Sequence, residues 1–306
     1  MIGGSRGSID TVPAVRDISF RDLLSHTSGL TYGFMESNNV DAMYRATGVD
    51  FNWGSQTSLE GVVEELVRCP LIAQPGSEWN YSVSTDVLGY LVQVISGMPF
   101  ADFLRDKVIE PLGMVDTDFF VPQAKLSRFA GNYAVKPGGG LNLIDDAQDS
   151  PRYNAMPPVA SGGGGLVSTA HDYMRFCKFM LNKGELEGVR LLGRKAVELM
   201  TSNHLKGDMA DMGQPTWSES PTNGIGFGLG FSVTLADSRH RWRIRLGRRC
   251  QHRLLVRSGG GYGRRLPHAV DAKQYLPGAP RVAGADVSGG GGLNATAAAY
   301  RAVQPG

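Results

Sequence analysis

Short blocks of apolar residues at helical spacing recur from Ser19 to Met200, and after about Leu235 the pattern stops. A chain patterned this way must bury several short amphipathic helices against one another or against a sheet. Ser19 is placed to cap the first helix, with Asp22 three residues on and Phe20, Leu23 and Leu24 forming its apolar face. Gly29, in His26-Thr27-Ser28-Gly29-Leu30, is its natural stop. Residues 31–56 carry no strong period and read as a long excursion. Thr57 and Glu60 form a second capping pair ahead of Leu59, Val62, Val63, Leu66 and Val67, and Pro70 prevents continuation.

A third helix is expected from Ser84, with Val87, Leu88, Leu91, Val92 and Ile95 on one face and Gly97 at its end. Another follows Pro99, carrying Phe100, Phe103, Leu104 and Val108. Residues 136–165 read as a Gly/Pro/Asp-rich loop. Thr169 and Asp172 then cap a helix to about Leu181, Arg194–Met200 gives a short one, and Gly224–Leu235 alternates small and apolar residues as a strand does.

The net charge of +2 conceals two unlike parts. Residues 1–238 carry 18 basic and 27 acidic side chains, a net of −9, whereas residues 239–306 carry 13 and 2, a net of +11. Ten arginines lie between Arg239 and Arg265 with no acid among them. Residues 1–235 are therefore read as a domain, and 236–306 as a low-complexity Arg/Gly/Ala-rich tail, disordered. Clustered arginine neutralises phosphates. No nucleic-acid fold signature accompanies it, and Trp242 with Tyr262 is a thin stacking platform, so no nucleic-acid partner is expected.

No apolar run reaches transmembrane length and no basic-then-apolar leader opens the chain, so no membrane partner is expected and a cytoplasmic location is favoured. Cys69, Cys177 and Cys250 lack metal-ligand spacing and read as thiols of a reducing compartment. His171, His204, His240, His252 and His268 show no ligand pattern either, and no metal or cofactor is expected. Gly3-Gly4-Ser5-Arg6-Gly7 satisfies G-x-S-x-G, but a nucleophile elbow needs a strand before the serine and a helix after it. Ser161 and the four glycines after it lack the preceding strand and the Lys-Ser/Thr of a phosphate loop, and read as a turn. No motif places an acid to orient His26, which reads as structural.

Three stretches, in this order, are similar to one family. They are Asp17 through Leu30, Pro75 through Phe120 with Glu110-Pro111-Leu112-Gly113-Met114, and Ser161 through Phe176. Together they resemble the serine β-lactamase and penicillin-binding-protein superfamily, most closely its class C β-lactamase-like esterases, the family VIII carboxylesterases. The resemblance implies an α/β (α+β) fold with an antiparallel sheet flanked by helices plus a helical region, incomplete in this chain. It implies an acyl-enzyme hydrolase of carboxylic ester or β-lactam bonds, acting on a small-molecule substrate, with a Ser-x-x-Lys pair and a Tyr as its machinery. Tyr81, in Pro75-Gly76-Ser77-Glu78-Trp79-Asn80-Tyr81-Ser82-Val83, matches the catalytic Tyr. Val83 stands where β-lactamases of this class have Asn, which favours an esterase.

The pair itself is absent: none of the eight lysines has Ser or Thr three residues before it. In the family the pair precedes the His-Thr-Ser-Gly-Leu turn by some tens of residues, so the chain is expected to begin downstream of it, past any leader. An inactive hydrolase is the expectation, with a non-catalytic protein binding acyl or peptidoglycan-like ligands as the alternative. Helices that should cover missing strands would stay exposed, which favours aggregation.

The arginine window has a reading of its own. Moved one nucleotide forward, codons for Arg241 to Arg248 permit Gly-Gly-Glu-Phe-Gly-Trp-Gly-Gly. That string resembles the third active-site strand of the esterases. The chain after about Leu235 is thus expected to be an out-of-frame translation.

Overall fold

The capping pair that opens the chain's first helix forms as its residues dictate. Ahead of α1 (Phe20–Leu24), Ser19 Oγ accepts from Asp22 N at 3.3 Å, and Asp22 Oδ2 accepts from Ser19 N at 2.8 Å. Arg16 forks onto the same carboxylate at 2.6 and 2.9 Å. Burial pushes the Asp22 carboxyl up, but the hydrogen bonds from Arg16 and Ser19 outweigh it and hold it well below the usual carboxylate range.

The structure, a computed structural model, describes residues 10–49, 58–135, 139–214, 216–217, 220–235, 243–246 and 254–257. The excursion after Leu30 contains α2 (Asn39–Thr47), opened by a reciprocal Asn38–Asp41 capping box and closed by Gly48 at φ +75°. The cap of α3 (Leu59–Leu66) is Ser58, whose Oγ accepts from Gly61 N at 3.1 Å; Thr57 lies outside the described residues. α4 (Ser84–Ser96) ends at Gly97 with φ +68°, and α5 (Phe100–Leu104) runs on into a π turn over Arg105–Ile109.

Residues 136–165 are not wholly loop. β1 (Asn132–Val135) pairs antiparallel with β2 (Leu141–Asp145), whose first four residues are all exposed. Side chains with neither face buried give no period to read. α6 (Ala170–Leu181) starts where Thr169 Oγ1 accepts from Asp172 N at 3.2 Å. A two-residue hairpin of β3 (Glu185–Leu186) and β4 (Val189–Arg190) leads to α7 (Arg194–Met200). β5 (Thr216–Trp217) and β6 (Ser220–Pro221) form another short pair.

The stretch Gly224–Leu235 is two strands, not one. β7 (Ile225–Phe227) turns at Gly228-Leu229-Gly230, with Gly230 at φ +86°, into β8 (Ser232–Thr234). The backbones of β9 (Arg243–Leu246) and β10 (Leu254–Arg257) extend the sheet in the order β10-β9-β8-β7, antiparallel throughout. The rest of what was expected of residues 236–306 lies outside the described residues.

Three apolar clusters hold these elements. The first joins α1 to α5 around Tyr44, Val62 and Val83. The second packs α6 and α7 through Cys177, Phe179 and Val197 with Leu112 and Phe231. The third sets Trp79, 2% exposed, against Leu205, Met209 and Met212, with Ile225 and Phe227 of β7 alongside. Away from the cores, α4 presents Val94 and Ile95 to solvent at 60% and 72% exposure.

Candidate active site

Tyr81 lies in the extended segment that enters α4, and that segment is zipped to the turn after α1. Ile72 N donates to Gly29 O at 2.8 Å, Gly76 N to Thr27 O at 2.7 Å, Asn80 N to His26 O at 2.8 Å and Val83 N to Thr31 O at 3.2 Å. Trp79 N donates to Met212 O at 2.8 Å, tying the same segment to the third cluster. Gly29 is required here. Its φ is +83°, and a Cβ would lie 2.2 Å from Ala73 O.

The Tyr81 ring is half-buried between two neighbours. Its centroid is 5.1 Å from the His26 imidazole and 5.2 Å from the Tyr32 ring. Tyr32 stacks on Phe34 at 4.7 Å. His26 meets Phe227 of β7 at 5.5 Å and Trp79 at 5.9 Å, so the hairpin β7–β8 closes one side of the same aromatic wall.

Behind Tyr81, α4 is clamped by the glycine run. Asp86 in its first turn accepts from Ser161 Oγ at 2.5 Å and from Gly163 N at 2.8 Å. A Cβ at Gly162 would lie 2.0 Å from Thr85 O; at Gly163 it would lie 2.6 Å from Asp86 Oδ2 and 2.7 Å from Tyr32 OH. Ser161 Oγ and Gly163 N therefore donate to an internal carboxylate, and the stretch expected to be a flexible turn is packed against α4 as a clamp.

His26 is buried, at 3% exposure, and its Nδ1 sits 3.2 Å from Ser82 Oγ. His171 is on the surface beside Asp172, and His204 contacts Arg21. No group of three or more His, Cys, Asp or Glu suited to a metal ion occurs among the described residues. Cys69 and Cys177 are buried and free, and burial pushes the Cys177 thiol up to about 12. Gly3–Gly7, Cys250, His240, His252 and His268 lie outside the described residues, as do the side chains of the arginine window.

Sequence reasoning named Tyr81 but missed what fixes it: Tyr32, Ser28, Ser82, Ser84 and Asp86. Two serines flanking Val83 and an acid in the first helical turn were the available signal. Ser82 and Ser84 bond each other, but His26, Ser28, Ser161 and Gly163, which they and Asp86 also meet, lie more than 50 residues away, and no local pattern reveals that.

A family model described as Beta-lactamase matches residues 9–266. Protein Rv1367c of Mycobacterium tuberculosis is 34% identical over 252 residues, covering 79% of this chain and 58% of that protein. Esterase EstB of Burkholderia gladioli is 28% identical over 235 residues, covering 72% and 55%. The solved structure of EstCE1, titled a hydrolase with promiscuous acyltransferase activity, superposes with TM-score 0.56 at 26% identity, covering 73% of this chain and 59% of that one. The chain thus spans little more than half the length of these relatives. With the family model covering most of the sequence and the helix–sheet scaffold shared with a solved hydrolase, the chain belongs to the β-lactamase family.

Proposed function

We propose that the chain carries the proton-transfer side of an acyl-transfer site for small carboxylic esters, with Tyr81 as the proton-transfer residue, and that as it stands it does not turn esters over. The observation that carries this reading is the fixed setting of Tyr81 at the entry to α4, its segment held by backbone hydrogen bonds donated to the carbonyls of four residues of the neighbouring turn. The relatives named as an esterase and as a hydrolase with acyltransferase activity favour ester over β-lactam substrates.

Acyl transfer needs a hydroxyl to attack the carbonyl carbon, a group that takes its proton and later returns one to the leaving oxygen, and donors for the oxyanion. A tyrosine performs the second task when adjacent cations lower its pKa from about 10. The chain has no Ser-x-x-Lys to supply the nucleophile and its lysine. Inactivity follows from that.

Purified chain mixed with p-nitrophenyl butyrate or nitrocefin tests it. No turnover above buffer is expected. Turnover lost in Tyr81→Phe would overturn the inactivity and keep the role of Tyr81; turnover unchanged in Tyr81→Phe would overturn the role as well.

A second reading, a non-catalytic protein binding acyl or peptidoglycan-like ligands, is favoured by the intact Tyr81 setting alongside the missing pair. Saturable binding of the same ester, lost in Tyr81→Ala, would support it. On domain organisation, we keep residues 1–235 as the unit that carries the site. The family match continues to residue 266, and β9 pairs with β8 in the frame as it stands. Gene sequence around codons 236–240 decides between that frame and a shifted one.

A further inference from the structure

Three serines and a histidine form a buried polar chain behind Tyr81. Leu30 N donates to Ser28 Oγ at 3.2 Å, Ser28 Oγ lies 2.7 Å from Ser84 Oγ, and Ser84 Oγ lies 2.7 Å from Ser82 Oγ. Ser82 Oγ in turn lies 3.2 Å from His26 Nδ1. The three serines are fully buried, so their hydroxyl protons need acceptors within the protein, and Ser84 N also donates to Ser82 Oγ at 3.4 Å.

It has three O–H donors and three side-chain contacts to fill. Run from Ser28 to Ser84 to Ser82 to His26, every hydroxyl proton has an acceptor, and Nδ1 is the last of them. If Nδ1 also carried a proton, four donors would share three contacts and one would be buried without an acceptor in the cluster. Donor counting therefore puts the imidazole proton on Nε2.

The backbone of His26 is constrained too. Its φ is +57°, a left-handed conformation unusual for a side-chain-bearing residue, and its carbonyl accepts from Asn80, the residue before Tyr81. Ser82, the residue after Tyr81, holds the ring nitrogen. Both chain neighbours of Tyr81 are thus bonded to the residue whose ring packs on it.

We propose that His26 is a positioning residue for Tyr81: the Ser28–Ser84–Ser82 hydroxyl chain fixes its imidazole as the Nε2–H tautomer with Nδ1 accepting, and the imidazole so fixed sets the pose of the Tyr81 ring. Its functional meaning rests on the proton-transfer reading of Tyr81, whereas the tautomer does not.

The test is nitrogen-15 NMR of the histidine-labelled full chain, with the Tyr81 ring resonances followed in parallel. Expected for His26 is an unprotonated Nδ1 and a protonated Nε2. Ser82→Ala, which removes the terminal donor, should shift the Nδ1 resonance and the Tyr81 ring resonances together. If that variant does not fold, Ser28→Ala removes the donor at the far end and should shift the same signals.

His26→Asn tolerates the left-handed backbone and keeps a short polar side chain; it should preserve the Tyr81 resonances better than His26→Leu. A protonated Nδ1, serine variants that leave both sets of signals in place, or equal effects of Asn and Leu would overturn the proposal. The His26 tautomer should persist in Tyr81→Phe. An ester assay that counts against Tyr81 therefore leaves the hydroxyl chain standing.

Discussion

Asp22→Asn is expected to destabilise the fold by about 2 kcal/mol at neutral pH. The carboxylate is 6% exposed and accepts from Arg16, from Ser19 N and from Ser19 Oγ. Arg16 is nearly half exposed, at 45%, so solvent screens its fork and the ion pair adds little. The hydrogen bonds to Ser19 are made to a charged acceptor and close the capping box; an amide weakens them by about 1–2 kcal/mol.

With a urea dependence of about 2 kcal/mol per molar, the midpoint followed by circular dichroism should fall by about 1 M. The folded carboxyl lies below its unfolded value of about 3.9. Its contribution is therefore fully present above that unfolded value and is lost as pH falls through the lowered folded one. The gap between wild type and variant should be constant from about pH 6 to 8 and narrow below about pH 4. A midpoint change under about 0.3 M, or a gap that ignores acid, would refute the reasoning. An Arg16→Gln variant as unstable as Asp22→Asn would move the energy from the cap to the ion pair.

The remaining predictions concern the clamp and the thiols. Gly163→Ala drives a methyl against Asp86 and Tyr32 and should cost about 1–3 kcal/mol, read as a lowered thermal midpoint. An unchanged midpoint would mean that the glycine run has slack. Cys177, 1% exposed with its thiol pushed up to about 12, should resist Ellman's reagent at about pH 8 in the native chain and react once urea unfolds it. Peptide mapping assigns the labelled thiol.

Local chemistry was legible wherever partners lie within a few residues. Ser19 with Asp22, Thr169 with Asp172, and Gly97 each did what its spacing predicts. The second helix, Asn39–Thr47, gives no readable period although Asn38 and Asp41 form the same box. Its weak apolar face hid it. Gly224–Leu235 keeps a period of two through its turn, since Gly228-Leu229-Gly230 mimics strand alternation, and one strand was read where two exist. The site was legible as Tyr81 alone, because resemblance marks single residues. The histidine, serines and aspartate that hold it are joined only by the fold.

The zipper between the turn at residues 26–31 and the segment at 72–83 also has a consequence for the order of folding. Each of its four backbone hydrogen bonds joins residues more than 40 positions apart, so none can form until the intervening stretch has closed as a loop. Doubling that loop would add only about 0.6 kcal/mol of closure entropy. The delay comes instead from waiting for distant segments to meet. α4 can begin to coil early from local contacts. The surroundings of Tyr81 are assembled only once both segments are in register.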